Sequence, residues 1–401
     1  MSKKLKVVFA HNLKTSEDES QAEYDLSSTV DYISGFLQEL GYEVLPLNVS
    51  GDLGEVVDKL VSFSPDLIFN TAEGITKHGK LREAYFPLIF DYLGIPFTGS
   101  GAEICSLCLD KQAMKAFVST YCDIPTPRWV FAKKGRACDI GGGAGGGAGG
   151  AGPLKFPLMI KPNSGGSSMG ITQNSIVRSR EDFDSRLKEA HDAYGDVLVE
   201  EFIEGIDVTS PFLQKAPVHL GVLPLAGYDF GGAAGDSDGG EAGAAVGGGE
   251  AGGGMASIYS YDLKHGGDDD VGVVIPPKVS SDAQSKILEA TKKIVTSLGI
   301  RDLARLDYRV DKDGNIYFLE VNALPSLQDG AGLYASAAAI GLKPVDVIRL
   351  VVEGVVERGR AGPDISGRAS DDRTGSYGSF GLSRDRDFPG WESASREIIP
   401  G

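Results

Sequence analysis

The chain has 401 residues, 41% hydrophobic and 24% charged, the profile of a soluble globular protein with room for two or three domains. A formal net charge of −17 excludes a broad nucleic-acid or anionic-membrane surface, but it allows a local cationic pocket. No run reaches the ~20 apolar residues of a membrane span, and Met1–Asn12 has too short an apolar part for a signal peptide. Cys105-x-x-Cys108 has no second pair of matching spacing and no histidine nearby, so with Cys122 and Cys138 it reads as small apolar side chains. The cytoplasm is the expected compartment.

From residue 5 to residue 120 strands and helices alternate. Leu5–Ala10 reads as a buried strand, Asp25–Leu40 as a helix stopped by Gly41, and Glu43–Val49 as the next strand. Gly54–Phe63 is expected helical, Asp66–Asn70 extended, and Leu81–Leu93 helical up to Gly94. This alternation predicts a parallel sheet with helices on both faces and ligands at the carboxyl ends of its strands: His11, Asn70–Gly74 and Thr98–Gly101. One more helix should carry Leu109-Asp110-Lys111-Gln112, and Pro125-Thr126-Pro127 is an extended link. Residues 141–152 and 231–254 are Gly-rich and hold too little apolar side chain to bury a core. Beyond the first run lie a strand at Pro157–Ile160, a helix at Arg180–Ala190, and an apolar strand running into Glu200-Glu201. Gln284–Leu298 and Val345–Glu357 read as helices, and the polar tail 362–401 reads as disordered.

Chemistry concentrates in two stretches. In Arg305–Asn322, Leu306, Tyr308 and Val310 alternate with Arg305, Asp307 and Arg309, and Asp311-Lys312-Asp313-Gly314 is turn chemistry before a second β-rich run. A hairpin there lets Asp307 face Glu320 and Asn322, a set of hard oxygen donors suited to Mg²⁺. In Lys161–Gly170 a strand ends in Lys161 and opens into three glycines and three serines, whose backbone N–H groups can close on phosphate oxygens. The bland readings are a surface hairpin and a flexible loop. Lys111 is a second lysine able to meet phosphate, against a plain helix-surface lysine. Glu200 or Glu201 needs a donor if buried, either a lysine or an adenine amino group.

Together these residues resemble the ATP-grasp superfamily and, within it, the D-alanine–D-alanine ligases. The resemblance runs from about Lys4 to Arg360 and rests on LGIPFTGSG (93–101), LDK (109–111), KPNSGGSSMGIT (161–172), VLVEEFIEG (197–205), YSYDLK (259–264) and the ARLDY…YFLEVNALP hairpin. It implies a mixed α/β and α+β fold: an N-terminal parallel-sheet domain at 1–120, a small central subdomain at 121–210, and a C-terminal subdomain at 211–361 that carries the hairpin. It implies that Lys111 and Lys161 hold ATP phosphates, with Ser167 and Ser168 in the loop above them. Adenine would lie along Glu200, Glu201 and Ile203, and Asp207 would reach the ribose. Asp307, Glu320 and Asn322 would hold two Mg²⁺ ions, with Mn²⁺ as a substitute. Lys264 would close on the γ-phosphate, Glu23 would hold the first amino acid's ammonium group, and Arg305 would face the acyl centre. The implied reaction joins a carboxylate to an amine through an acyl phosphate. Dimerisation is a family expectation, and no nucleic-acid or membrane partner is implied.

The departures fall on the amino-acid side. His11–Asp25 lacks the Gly-Gly pair of those ligases, and in Asn70–Arg82 their His-Gly and acidic Gly-rich turn are replaced by a His78-Gly79 at a different spacing. Ala331 or Gly332 stands where a serine is usual, and His265 where a tyrosine is usual. Three functions follow from these residues: a ligase of this type with a diverged substrate pocket, a D-alanine–D-alanine ligase proper, and an ATP-binding regulatory protein without turnover.

Overall fold

The first apolar run forms strand β1 (Lys6–His11) in a computed structural model that describes residues 4–74, 79, 81–141, 152–166, 170–229 and 272–361. β1 lies between β2 (Glu43–Asn48) and β3 (Leu67–Asn70), and both pairs are parallel. A middle strand of a parallel sheet is covered on both faces, which is why β1 reads as a near-continuous apolar run. Helix α1 (Ser27–Glu39) covers one face and α2 (Leu53–Phe63) with α3 (Tyr85–Tyr92) the other. Asp52 caps α2 by accepting the Glu55 N–H at 3.2 Å.

Two sequence expectations change here. Helix α3 starts at Tyr85, because residues 81–84 form a turn that carries Arg82 and Glu83 inward. At Gly74, with φ +87°, an added Cβ would fall on the Arg82 carbonyl group, so that close approach requires glycine. The second change is that Leu109–Gln112 is a junction between two helices. Helix α4 (Ala102–Leu109) ends there, and Asp110 caps α5 (Lys111–Thr120), accepting the Ala113 N–H at 3.2 Å. Cys105 and Cys108 are buried core thiols of α4.

β4 (Trp129–Ala132), β5 (Leu158–Pro162), β6 (Ile176–Val177) and β7 (Val197–Glu201) form an antiparallel sheet in the order β4-β7-β5-β6. Helix α6 (Arg180–Tyr194) packs on it through Phe183 and Leu187. The chain changes sheets after β7. β8 (Gly205–Leu213) pairs along its length with β11 (Leu303–Asp311) in a sheet ordered β10-β9-β8-β11-β12, whose other strands are β9 (Ala226–Asp229), β10 (Gly272–Val274) and β12 (Ile316–Asn322). Helix α7 (Ser281–Leu298), capped by Ser280 and closed at Gly299, joins α4 and α5 in the core of this sheet. Helices α8 (Gly332–Ala338) and α9 (Pro344–Ala361) lie against the first sheet's α1 face. No described helix is long and apolar enough to cross a membrane.

Candidate active site

The cleft between the four- and five-stranded sheets is lined on one side by Met159, Lys161, Ile171 and the Glu200–Ile203 run. Asp207, Thr209, Tyr228, Arg305, Asp307, Leu319 and Glu320 line the other side. Its charged centre begins at Glu200, on β7 between Trp129 of β4 and Met159 of β5. Glu200 is buried, with one carboxylate oxygen 2.6 Å from Lys161 Nζ and the other 2.9 Å from Lys115 Nζ. Lys111 Nζ lies 3.2 Å from Glu320 Oε2 and also donates to the Gly165 carbonyl. Three ammonium groups against two carboxylates leave one positive charge in this corner of an acidic chain. Burial pushes the Lys115 ammonium down to about 8, and Glu200 only partly offsets this. Burial would also raise Glu320, but Lys111, Lys161 and Arg305 outweigh it and hold that carboxyl below its usual range.

The hairpin is β11 and β12, with Asp307 opposite Glu320 and Arg305 opposite Asn322. All four therefore share a face. Past Asp307 the register shifts by a β-bulge, which leaves Leu319 beside Glu320 in the cleft wall. Asp307 is oriented from two sides: Thr209 Oγ1 donates to its Oδ1 at 2.8 Å, and Arg305 Nη2 donates to its Oδ2 at 2.9 Å. Asn322 Oδ1 accepts the Leu324 N–H at 2.9 Å. Two carboxylates and an amide oxygen, with no thiol or imidazole in the hairpin, fit a hard cation such as Mg²⁺. Their fixed orientation is the outer support such a site needs.

The remaining expected residues fall into groups. Glu201 faces away from Glu200, with Arg128 Nη1 at 3.4 Å and the Lys155 N–H at 2.8 Å. The Ile203 carbonyl accepts from Arg309 Nε at 2.9 Å, and Arg309 Nη1 lies 2.7 Å from Asp207 Oδ1. Met159, Ile171, Phe202 and Leu319 give the cleft the apolar walls that a planar base needs. Ser167, Ser168, Lys264 and His265 lie outside the described residues.

Glu23 packs against Gly166 and pairs with Arg82. Arg82 also lies 3.4 Å from Glu73 and 3.1 Å from Glu83. Carboxylate oxygens of Glu23, Glu73 and Glu83 come within 4.8 Å of one another, and the cation among them is Arg82. Burial raises Glu73, and it raises Glu83 to about 7 against the pull of Arg82. Ala331 heads α8 without a side-chain cap, so the helix entrance carries no hydroxyl there.

Sequence reasoning missed Lys115, Thr209 and the inward turn of Arg82. A signal existed for Lys115: it stands four residues after Lys111, on the same face of one helix. Thr209 and Arg82 carried none.

A family model described as the D-ala D-ala ligase C-terminus matches residues 146–223 and 243–353. A D-alanine–D-alanine ligase from Pelotomaculum thermopropionicum is 30% identical over 316 residues, which are 78% of this chain and 87% of that protein. One from Thermotoga petrophila is 27% identical over 80% of this chain and 90% of its own length. Among solved structures, the Bacillus anthracis D-alanine–D-alanine ligase complexed with ATP superposes with a TM-score of 0.64 at 20% identity, covering 89% of this chain and 100% of that one. The VanG D-Ala:D-Ser ligase from Enterococcus faecalis gives 0.59 at 19% identity, over 88% and 99%.

Proposed function

Because this chain belongs to the D-alanine–D-alanine ligase family of ATP-grasp carbon–nitrogen ligases, we propose that it joins an amino-acid carboxylate to an amine with conversion of ATP to ADP and phosphate. One observation carries this reading: the Asp307, Glu320 and Asn322 face of the hairpin meets the Lys111–Lys115–Lys161 cluster across one cleft.

Lys111 and Lys161 would meet the phosphates, and backbone N–H groups of the Asn163–Gly166 segment would surround them. Lys115 would keep Glu200 ionised while Lys161 turns toward the nucleotide. Adenine would lie between the apolar walls beside the Glu200–Ile203 run, with Asp207 at the ribose. Asp307, Glu320 and Asn322 would hold Mg²⁺, which supplies charge neutralisation for the transferring phosphoryl group. The substrate carboxylate then attacks the γ-phosphorus, the bond to ADP breaks, and an acyl phosphate forms. Attack by the amine gives a tetrahedral oxyanion, and Arg305, permanently charged at the cleft wall, is placed to stabilise it. Collapse expels phosphate, the nitrogen gives up a proton to water, and the amide is left.

The amino-acid pocket in this reading differs from that of the family's usual members. Glu23 shares its charge with Arg82, and Ala331 offers no hydroxyl to a second carboxylate. The curated names of the relatives favour D-alanine in both positions. Phosphate release with Mg-ATP over D- and L-amino acids, singly and in pairs, separates the cases. Release with D-alanine alone makes the product D-alanyl-D-alanine; release only with another pair shows a diverged pocket. Nucleotide binding without release on any pair would refute the ligase reading in favour of a regulatory protein.

A further inference from the structure

The N-terminal segment without the Gly-Gly pair builds something else in its place. Asp18 caps a single 3₁₀ turn, Glu19–Gln21, accepting the Ser20 N–H at 2.8 Å. Gln21 Oε1 accepts the N–H groups of Thr15 at 2.7 Å and Ser16 at 3.1 Å. The Asp25 N–H donates to the Asn12 carbonyl at 2.8 Å and closes the base of the segment. From this braced turn Glu19 reaches across to the segment that follows β5 and to the end of α6. Its Oε1 accepts the Gly170 N–H at 2.8 Å, and Tyr194 OH donates to its Oε2 at 3.3 Å. Tyr194 ends α6, and its ring lies so close to Gly170 that a Cβ there would come within 2.8 Å of it.

The glycine-rich segment is therefore held at both described ends by different parts of the chain. At its start, the Lys111 N–H donates to the Asn163 carbonyl at 3.0 Å, and Asn163 Nδ2 donates to Asp110 at 2.8 Å. At its end stands Glu19, carried by the loop that follows β1. A glycine segment has many conformations to lose on closing round an anion. A contact that fixes Gly170, where the segment ends, beforehand lowers that cost.

We propose that Glu19 is a positioning residue: with Tyr194 it fixes the outgoing end of the glycine-rich segment and so couples nucleotide binding to the N-terminal loop that carries Glu23. The role rests on the reading that this segment holds phosphates. Glu19 stands four residues before Glu23, so an amino acid held by Glu23 and a nucleotide held by the segment would share one frame.

The test combines calorimetric binding of Mg-ADP with hydrogen exchange of the amides in residues 163–172. Glu19→Ala should weaken Mg-ADP about tenfold and speed exchange at Gly170 by a similar factor. Glu19→Gln keeps an acceptor and should lose clearly less than Glu19→Ala. Tyr194→Phe should weaken binding a few-fold alone and add little on top of Glu19→Ala, since both act through one contact. Melting temperatures should stay within about 2 °C of the parent, which separates positioning from unfolding. Binding and exchange within about twofold of the parent in Glu19→Ala, or fully additive effects of the two substitutions, would overturn the inference and leave the ligase reading standing. A parent protein that binds no Mg-ADP would overturn both.

Discussion

Glu200→Gln tests the charged core of the cleft. In the parent, one carboxylate holds two ammonium groups at 2.6 and 2.9 Å, and both lysines are buried. The substitution keeps the shape and removes the charge. Breaking a buried ion pair from one side costs about 3–5 kcal/mol. The lower part of that range applies here, because Lys115 can escape the cost by releasing its proton. The pH dependence is the sharper signature. Lys115 titrates at about 8 in the folded parent against 10.5 ordinarily. A lysine depressed by folding binds fewer protons folded than unfolded, so stability rises with pH from the folded value to the unfolded one. At about 1.4 kcal/mol per pH unit, the parent gains about 2 kcal/mol from this group between about pH 7 and pH 9.5. In the variant Lys115 has lost the carboxylate that keeps it charged and is neutral from the start, so it gains about 3.4 kcal/mol over the same interval. The penalty of the substitution should therefore shrink by about 1.4 kcal/mol as pH rises. Urea unfolding followed by Trp129 fluorescence reads this directly, since Trp129 is buried beside Glu200 on β4. A penalty under about 1 kcal/mol at pH 7, or one that stays level or grows with pH, would refute the reasoning.

Asp307→Asn and Glu320→Gln should each lower Mg-dependent phosphate release at least about 100-fold while metal-free nucleotide binding stays within about threefold; loss of nucleotide binding instead would remove the hairpin from the metal role. Thr209→Val deletes one of the bonds that orient Asp307. It should raise the Mg²⁺ concentration for half-maximal activity about tenfold, and excess Mg²⁺ should restore the rate; a lower rate at unchanged Mg²⁺ dependence would count against that role. Burial raises Asp25 to about 7, and the Thr71 hydroxyl at 2.6 Å opposes the rise only in part. A carboxyl raised by folding binds its proton more tightly folded than unfolded, so this group's contribution falls as pH climbs from about 4 to about 7. Asp25→Asn should therefore melt higher than the parent near pH 8 and much like it near pH 4; equal melting at pH 8 would show that the charge is not costly.

The hairpin was legible because two independent signals agree there: alternation over Leu306, Tyr308 and Val310, and the Asp-Lys-Asp-Gly turn between its arms. The pairing of Asp307 with Glu320 followed from those signals, but the bulge that puts Leu319 in the wall did not. β8 is hard to read in the sequence, since Pro211 argues against a central strand. It is tolerated because β9 pairs only with Val208 and Thr209; past them Pro211 offers its carbonyl, which accepts the Leu223 N–H at 2.9 Å, and needs no N–H of its own. The break at Asp110 was hidden because an aspartate amid helix formers reads equally as cap or surface residue. Arg82 and Glu83 could not be read as buried, because a single sequence does not show which charges turn inward around one another.

The α1 face of the first sheet has a consequence for how the chain is made. Val7, Phe9, Ile33 and Leu37 are covered by Val347, Ile348 and Val351 of α9, and Arg358 of the same helix donates to the Phe97 carbonyl at 3.2 Å. Residues made early in this chain are thus roofed by its last described helix. Roughly 240 residues separate residue 120 from the end of α9, about 12–48 s at ordinary rates of synthesis. Throughout that interval an apolar face is bare while its cover is still being translated. A fragment ending near residue 120 should accordingly stick to itself or to chaperones, and adding the α8–α9 segment as a separate peptide should relieve it.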